Sequence, residues 1–223
     1  MTTPFTPAGA GGERTLAVVS AGLSQPSSTR LLADRLADAT VRELEDAGYT
    51  VRVETIELRD LAHAVVDAML TRFPTGDLAR ALETVTGADG LIAVSPVFTT
   101  SYSGLFKSFW DVVDPDSLTG MPVLLGATGG TARHSLALEY AVRPLFTYLR
   151  ADVVPTSVFA ATDDWAASAD PSTGSGGPDV GGLPKRISRA GRELAARMSH
   201  RENEGPVDPF AATPSFTELL GGS

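Results

Sequence analysis

Between Gly90 and Ser95 the chain reads Gly-Leu-Ile-Ala-Val-Ser, an almost wholly apolar stretch too short for a stable helix. A strand of this kind is buried on both faces. It constrains the fold strongly, because sheets covered on both sides are built from parallel strands joined by crossover helices. The rest of the chain fits that rule. β-rich runs at 15–20, 50–58, 90–95, 122–127 and 153–160 alternate with helical patterns at 29–47, 61–70, 77–86, 103–113, 131–149 and 184–201. In the first helix, Leu31, Leu32, Leu36, Val41 and Leu44 form one stripe, and Gly48 suits the turn that ends it. Pro144 is expected to kink the helix over 131–149. The expected fold class is α/β: a five-stranded parallel sheet, order 2-1-3-4-5, with right-handed crossovers and helices on both faces.

In such a sheet, ligands bind beyond the carboxyl ends of the strands where the strand order reverses. Three loops therefore matter. The first, Ser20-Ala21-Gly22-Leu23-Ser24-Gln25-Pro26-Ser27-Ser28-Thr29, is rich in hydroxyls and opens a helix. A helix N-terminus offers unpaired N–H groups and a positive dipole end, and hydroxyls add donors without charge. The loop lacks both the triphosphate-binding lysine pattern and Gly-x-Gly-x-x-Gly. It suits a single terminal phosphate, such as that of FMN. The plainer alternative is an ordinary N-cap.

The second loop, from Ser95 through Pro96, Val97, Phe98, Thr99, Thr100, Ser101 and Tyr102 to Ser103, mixes hydroxyls, aromatic rings and backbone amides, as a flat polar-edged ligand requires. A buried Phe98 and a capping Ser103 are the alternatives here. The third, Thr128-Gly129-Gly130-Thr131-Ala132-Arg133-His134, lets backbone approach a ligand closely. Arg133 is a candidate contact for NAD(P)H. His134, one of three histidines, is given no acid–base role.

Composition narrows the function classes. A net charge of -9 disfavours nucleic acid and anionic membranes as partners. The absence of cysteine excludes disulfides, thiolate nucleophiles and thiolate-bound metals, and no metal site is expected. It also agrees with a cytoplasmic location. Residues 1–13 read as a disordered leader, 14–202 as one ligand-binding domain with a flexible loop at 166–183, and 203–223 as a tail whose Phe210, Phe216, Leu219 and Leu220 suit surface docking.

With these motifs together, the chain resembles the flavodoxin-like NAD(P)H-dependent FMN reductases, notably the actinobacterial branch associated with luciferase-like monooxygenases. The likeness rests on Ser20 to Thr29, on Ser95 to Lys107 with the following Trp110-Asp111, and on Gly126-Ala127-Thr128-Gly129-Gly130. It implies that Ser20, Ser27, Ser28 and Thr29 hold the FMN phosphate. Pro96, Val97, Phe98 and Thr99 would line the isoalloxazine, with Ser101, Tyr102 and Ser103 as further candidates. Thr128, Gly129 and Gly130 would border its other edge. Two departures stand out: Leu23-Ser24-Gln25 replaces a common arginine, and Phe98 stands where tyrosine is common.

No catalytic side chain is implied, since the flavin carries the chemistry. The resemblance implies reduced FMN supplied to a monooxygenase, and a homodimer or homotetramer formed through helices beside the site, Tyr140, Val142, Leu145, Phe146 and Tyr148 among them. Trp110 is expected to pack on that helix or on a subunit neighbour, and Lys107 to pair with Asp111. A quinone or azo reductase that retains FMN, and a flavodoxin-type electron carrier, are the alternative functions.

Overall fold

The computed structural model describes residues 12–169 and 182–201. Most of the expected leader, of the excursion at 166–183 and of the tail lies outside the described residues.

Parallel strands form the sheet: β1 (Glu13–Ser20), β2 (Thr50–Glu57), β3 (Gly90–Phe98) and β5 (Pro122–Gly129), with the short β6 (Asp152–Val153) and β7 (Val158–Ala161). The order is β2-β1-β3-β5-β6, with β7 also pairing β5 further along. The five positions of the expected sheet are all present in the expected order. Seven strands arise because the fifth position is interrupted and because β4 (Ser101–Tyr102) folds back antiparallel on β3.

The interruption has a chemical cause. Pro155 lacks the N–H that a ladder needs. The freed backbone groups are met by side chains instead. Arg143 donates to the carbonyls of Val154 and Pro155, each at 3.2 Å, and to Ser157 Oγ at 2.8 Å. Glu193 accepts from the Thr156 amide at 2.8 Å and its hydroxyl at 2.7 Å.

Alternation along the strands divides the core into two layers. Leu16, Val18, Ile92, Val94 and Leu124 face α1 (Ser28–Asp46) and α7 (Leu183–His200). Ala17, Val19, Leu91, Ala93, Val123 and Leu125 face α2 (Ala62–Thr71), α3 (Gly76–Thr86), α4 (Gly104–Asp111) and α5 (Arg143–Tyr148). Helix α1 ends as its sequence suggests. Gly48 sits at φ +90°, its amide donates to Glu45 O at 2.9 Å, and the Tyr49 amide donates to Leu44 O at 3.0 Å. Helix α6 (Thr162–Ala169) occupies the start of the segment expected as a flexible excursion.

The helix expected over 131–149 is instead broken. A 3-10 turn at Ala132–His134 and a π turn at Leu138–Val142 precede the short α5. Pro144 has no amide to donate, and its ring crowds the carbonyl four residues back. The Arg143 amide reaches back five residues to Leu138 O, which widens the turn. Val142 and Phe146 are consequently core residues, whereas Tyr140 and Tyr148 point outward and are 79% and 73% exposed. Trp110 lies in the core, edge-on to Phe109 and Phe146. Among the described residues no helix is long and apolar enough to cross a membrane.

Candidate functional site

The strand register brings the three loops to one edge of the sheet. Ser20 lies beside Val94, Ser95 beside Ala127, and Pro96 beside Thr128. This is the carboxyl end of the three central strands.

Hydrogen bonds then tie the loops to one another. The Ala21 amide donates to Val94 O at 2.9 Å, anchoring the first loop on β3. Thr29 Oγ1 and Thr128 Oγ1 lie 2.8 Å apart and are buried, joining the first loop to the third. Ser95 Oγ donates to Pro96 O at 2.9 Å and accepts from the Ser103 amide at 3.0 Å, closing the second loop. Buried hydroxyls satisfied this way hold a site rigid at little cost.

The first loop is compact. A Cβ at Gly22 would overlap the Ser27 hydroxyl, so only glycine permits this fold-back. Ser27 caps α1, its Oγ accepting from the Arg30 amide at 3.2 Å. Leu31 donates to Ser27 O at 3.0 Å. The amides of Ser28 and Thr29 come first in the helix and have no intrahelical acceptor. Ser20 Oγ is buried at the strand end and meets no hydrogen-bond partner. A set of unmet donors at one helix end suits an anion.

The second loop is a two-residue hairpin. Phe98 pairs with Ser101, and Thr99 and Thr100 between them have φ of +48° and +71°. Phe98 is 48% exposed, so it presents its ring at the rim and is not the buried phenylalanine of the plainer reading. Val97, Ser101 and Tyr102 are partly exposed, while Pro96 is buried in the strand end. Ser103 is buried and spent on structure: its hydroxyl accepts from the Phe106 amide at 3.2 Å and caps α4.

In the third loop Thr128 is buried, Gly129 half-buried and Gly130 exposed. Phe159 lies 2.9 Å from where a Gly129 Cβ would stand, so a side chain there would push into this ring. Arg133 is exposed on the 3-10 turn, with its amide donating to Thr131 Oγ1 at 3.0 Å. Lys107 and Asp111 form the expected ion pair on α4.

Comparison with known proteins gives the family of the chain. Residues 14–166 match the family model described as NADPH-dependent FMN reductase. The chain belongs to the NADPH-dependent FMN reductase family. It is 36% identical over 146 residues to the NADH-dependent FMN reductase SfnF of Pseudomonas putida, covering 66% of this chain and 76% of that protein. It is 34% identical over 167 residues to an FMN reductase (NADPH) of Pseudomonas aeruginosa, covering 74% and 81%. Among solved structures it is similar to an oxidoreductase from Corynebacterium diphtheriae, with TM-score 0.77 and 47% identity over 85% of this chain and 99% of that one. The apo NADH:FMN oxidoreductase EmoB shares the fold, at TM-score 0.70 and 24% identity, over 84% and 91% of the two chains.

Membership of the FMN reductase family makes this an oxidoreductase fold that uses FMN and NAD(P)H. The residues present fit such a cofactor. The unmet donors of Ser20, Ser28 and Thr29 suit its phosphate, and the half-exposed Phe98 beside strand-end backbone suits its ring.

The structure adds what the sequence pattern did not signal. Thr29 and Thr128 bind each other, so between them one hydroxyl hydrogen is already used and one remains to donate. Arg59, in the 3-10 turn Leu58–Leu61 after β2, reaches the first loop at Gln25. Its distance along the chain hid it; only the β1–β2 pairing brings the two together.

Proposed function

We propose that this protein is an NAD(P)H-dependent FMN reductase that releases reduced FMN to a monooxygenase. The observation that carries this is the convergence of three cross-tied, hydroxyl-lined loops on one sheet edge, in a chain of this family. Bound FMN supplies a ring able to accept a hydride from NAD(P)H. The chain's own residues bind and orient. Ser20, Ser27, Ser28 and the amides opening α1 hold the phosphate. Backbone from Pro96 to Thr99 and from Thr128 to Gly130 borders the ring, where N–H groups stabilise negative charge. Phe98 shields the ring from water. Arg133 receives a phosphate of the dinucleotide. The first two loops, Ser20 to Thr29 and Ser95 to Ser103, hold no carboxylate, histidine or lysine, and His134 at the end of the third is given no acid–base role in the scheme.

A homodimer is part of this reading. Tyr140 and Tyr148 stand exposed beside an open groove lined by Tyr102, Lys107, Trp110 and Pro144, on the α4–α5 side of the second loop. Exposed aromatic rings of this kind suit a subunit contact.

The test is flavin binding followed by fluorescence quenching. Ser27→Ala should weaken FMN about tenfold, the loss expected of a hydrogen bond to a charged group, with little change for riboflavin. Unchanged FMN affinity would place the phosphate elsewhere.

A further inference from the structure

We propose that Arg59 is a positioning residue for the phosphate loop, acting through Gln25; the inference rests on the reading of this edge as an FMN site.

The first loop carries no cation of its own between Ser20 and Thr29. Arg59 supplies one from outside. The side-chain amide of Gln25, oriented so that its oxygen faces the guanidinium, accepts from Arg59 Nη1 at 3.0 Å and also from Nη2. Both Nη atoms thus converge on one carbonyl oxygen, which the planar guanidinium fork allows and a single lysine ammonium does not. The other side of the guanidinium faces carboxylates at ion-pair distance, though its buried Nε meets no hydrogen-bond acceptor. Arg59 Nε lies 3.3 Å from Asp60 Oδ1 and 3.7 Å from Glu57 Oε2. Glu57 is shared with Arg30, whose Nη1 donates to it at 2.6 Å and whose Nε donates to Asp34 at 2.7 Å.

This network spans the end of β2, the turn after it and the first two turns of α1. Those are the elements that flank the loop. The clamp therefore acts at the exposed apex of the loop, two residues before Ser27. On the inner side, Ser27 packs against Gly22 and caps α1. Held at both sides, the loop keeps Ser27, the opening amides of α1 and the unpartnered Ser20 hydroxyl in one arrangement. Without the clamp, Gln25 is an exposed residue on an exposed loop, and phosphate must order that loop at its own cost.

Because the clamp shapes only the phosphate end, it should distinguish FMN from riboflavin. The experiment measures dissociation constants for both by flavin fluorescence quenching, in wild type, Arg59→Ala, Gln25→Ala and the double variant, with thermal unfolding of each ligand-free protein. Arg59→Ala is expected to weaken FMN about tenfold and riboflavin less than about twofold. Gln25→Ala should do the same, and the double variant should lose no more than either single one. Equal losses for both flavins would overturn the proposal in favour of general destabilisation, which a lowered unfolding temperature would accompany. Fully additive losses would overturn the route through Gln25. Wild-type protein that binds riboflavin as tightly as FMN would overturn the phosphate-site reading itself. Wild type that prefers FMN, with variants unchanged, would overturn the role of Arg59 alone.

Discussion

At the scale of single residues, the site is organised by hydroxyls that bind protein as much as ligand. Thr29 and Thr128 form one buried bond. Thr128→Val removes one partner and leaves a hydroxyl unpaired in the interior. This should cost about 1–3 kcal/mol of stability by urea denaturation, and unchanged stability would mean that the pair is solvated. Thr99 and Thr100 both occupy the left-handed region, at φ +48° and +71°, in a two-residue hairpin. That turn favours Asn-Gly, and β-branched residues are strained there. Thr99→Asn with Thr100→Gly should raise stability by about 1 kcal/mol, read as a higher urea midpoint. A lower midpoint would mean that the threonines make compensating contacts. Serines and threonines in the first loop were legible as binding groups, because hydroxyls at a helix start point to donors. Which of them are spent on structure was not, since Thr29 and Thr128 are joined only by tertiary packing. Ser103 was legible as a cap because it directly precedes an apolar helix.

At the scale of elements, apolar runs and alternation located the strands of the sheet and most of the helices, though not α6 (Thr162–Ala169), while the interruptions depended on single prolines. Pro155 splits the fifth strand position, and Pro144 accompanies a π turn in place of a simple kink. Neither outcome follows from the residues alone, because each needs partners that accept the displaced backbone groups. Glu193 is one such partner. Burial pushes its carboxyl up, but hydrogen bonds from the Thr156 hydroxyl and amide and from Arg189 outweigh that and hold its pKa below the ordinary value. A carboxyl lowered in the folded state stabilises the fold at pH above its unfolded pKa, and that gain is lost as pH falls through the folded value. Glu193→Gln should therefore cost about 1 kcal/mol at neutral pH, with the difference from wild type shrinking below the ordinary carboxylate range. A pH-independent difference would show that ionisation is not what matters. Helices α1 and α7 meet where Gly191 faces Ala39, and a Cβ there would lie 2.8 Å from the Ala39 Cβ and 2.9 Å from backbone. Gly191→Val should destabilise by about 1–3 kcal/mol through overpacking; a neutral result would mean that the helices separate freely.

At the scale of the whole molecule, sheet order and site follow from one cause. Parallel strands buried on both faces place their carboxyl ends together, and the order β2-β1-β3-β5 gathers three loops there. That convergence was legible because crossover connections have one hand. The outer surface was less so. Of the helix residues expected at a subunit contact, Val142 and Phe146 lie in the core, and Tyr140 and Tyr148 remain outside. If they meet a second copy, Tyr140→Asp with Tyr148→Asp should shift the protein to a monomer by light scattering, and an unchanged mass would place the contact elsewhere. The central claim concerns the three loops, and steady-state oxidation of NADH and NADPH by the purified full chain, across a series of added FMN concentrations, tests it most directly. The account predicts saturable oxidation that rises with added FMN and yields free reduced flavin. Oxidation indifferent to added FMN, proceeding only when a quinone is supplied, or no oxidation at all, would contradict it.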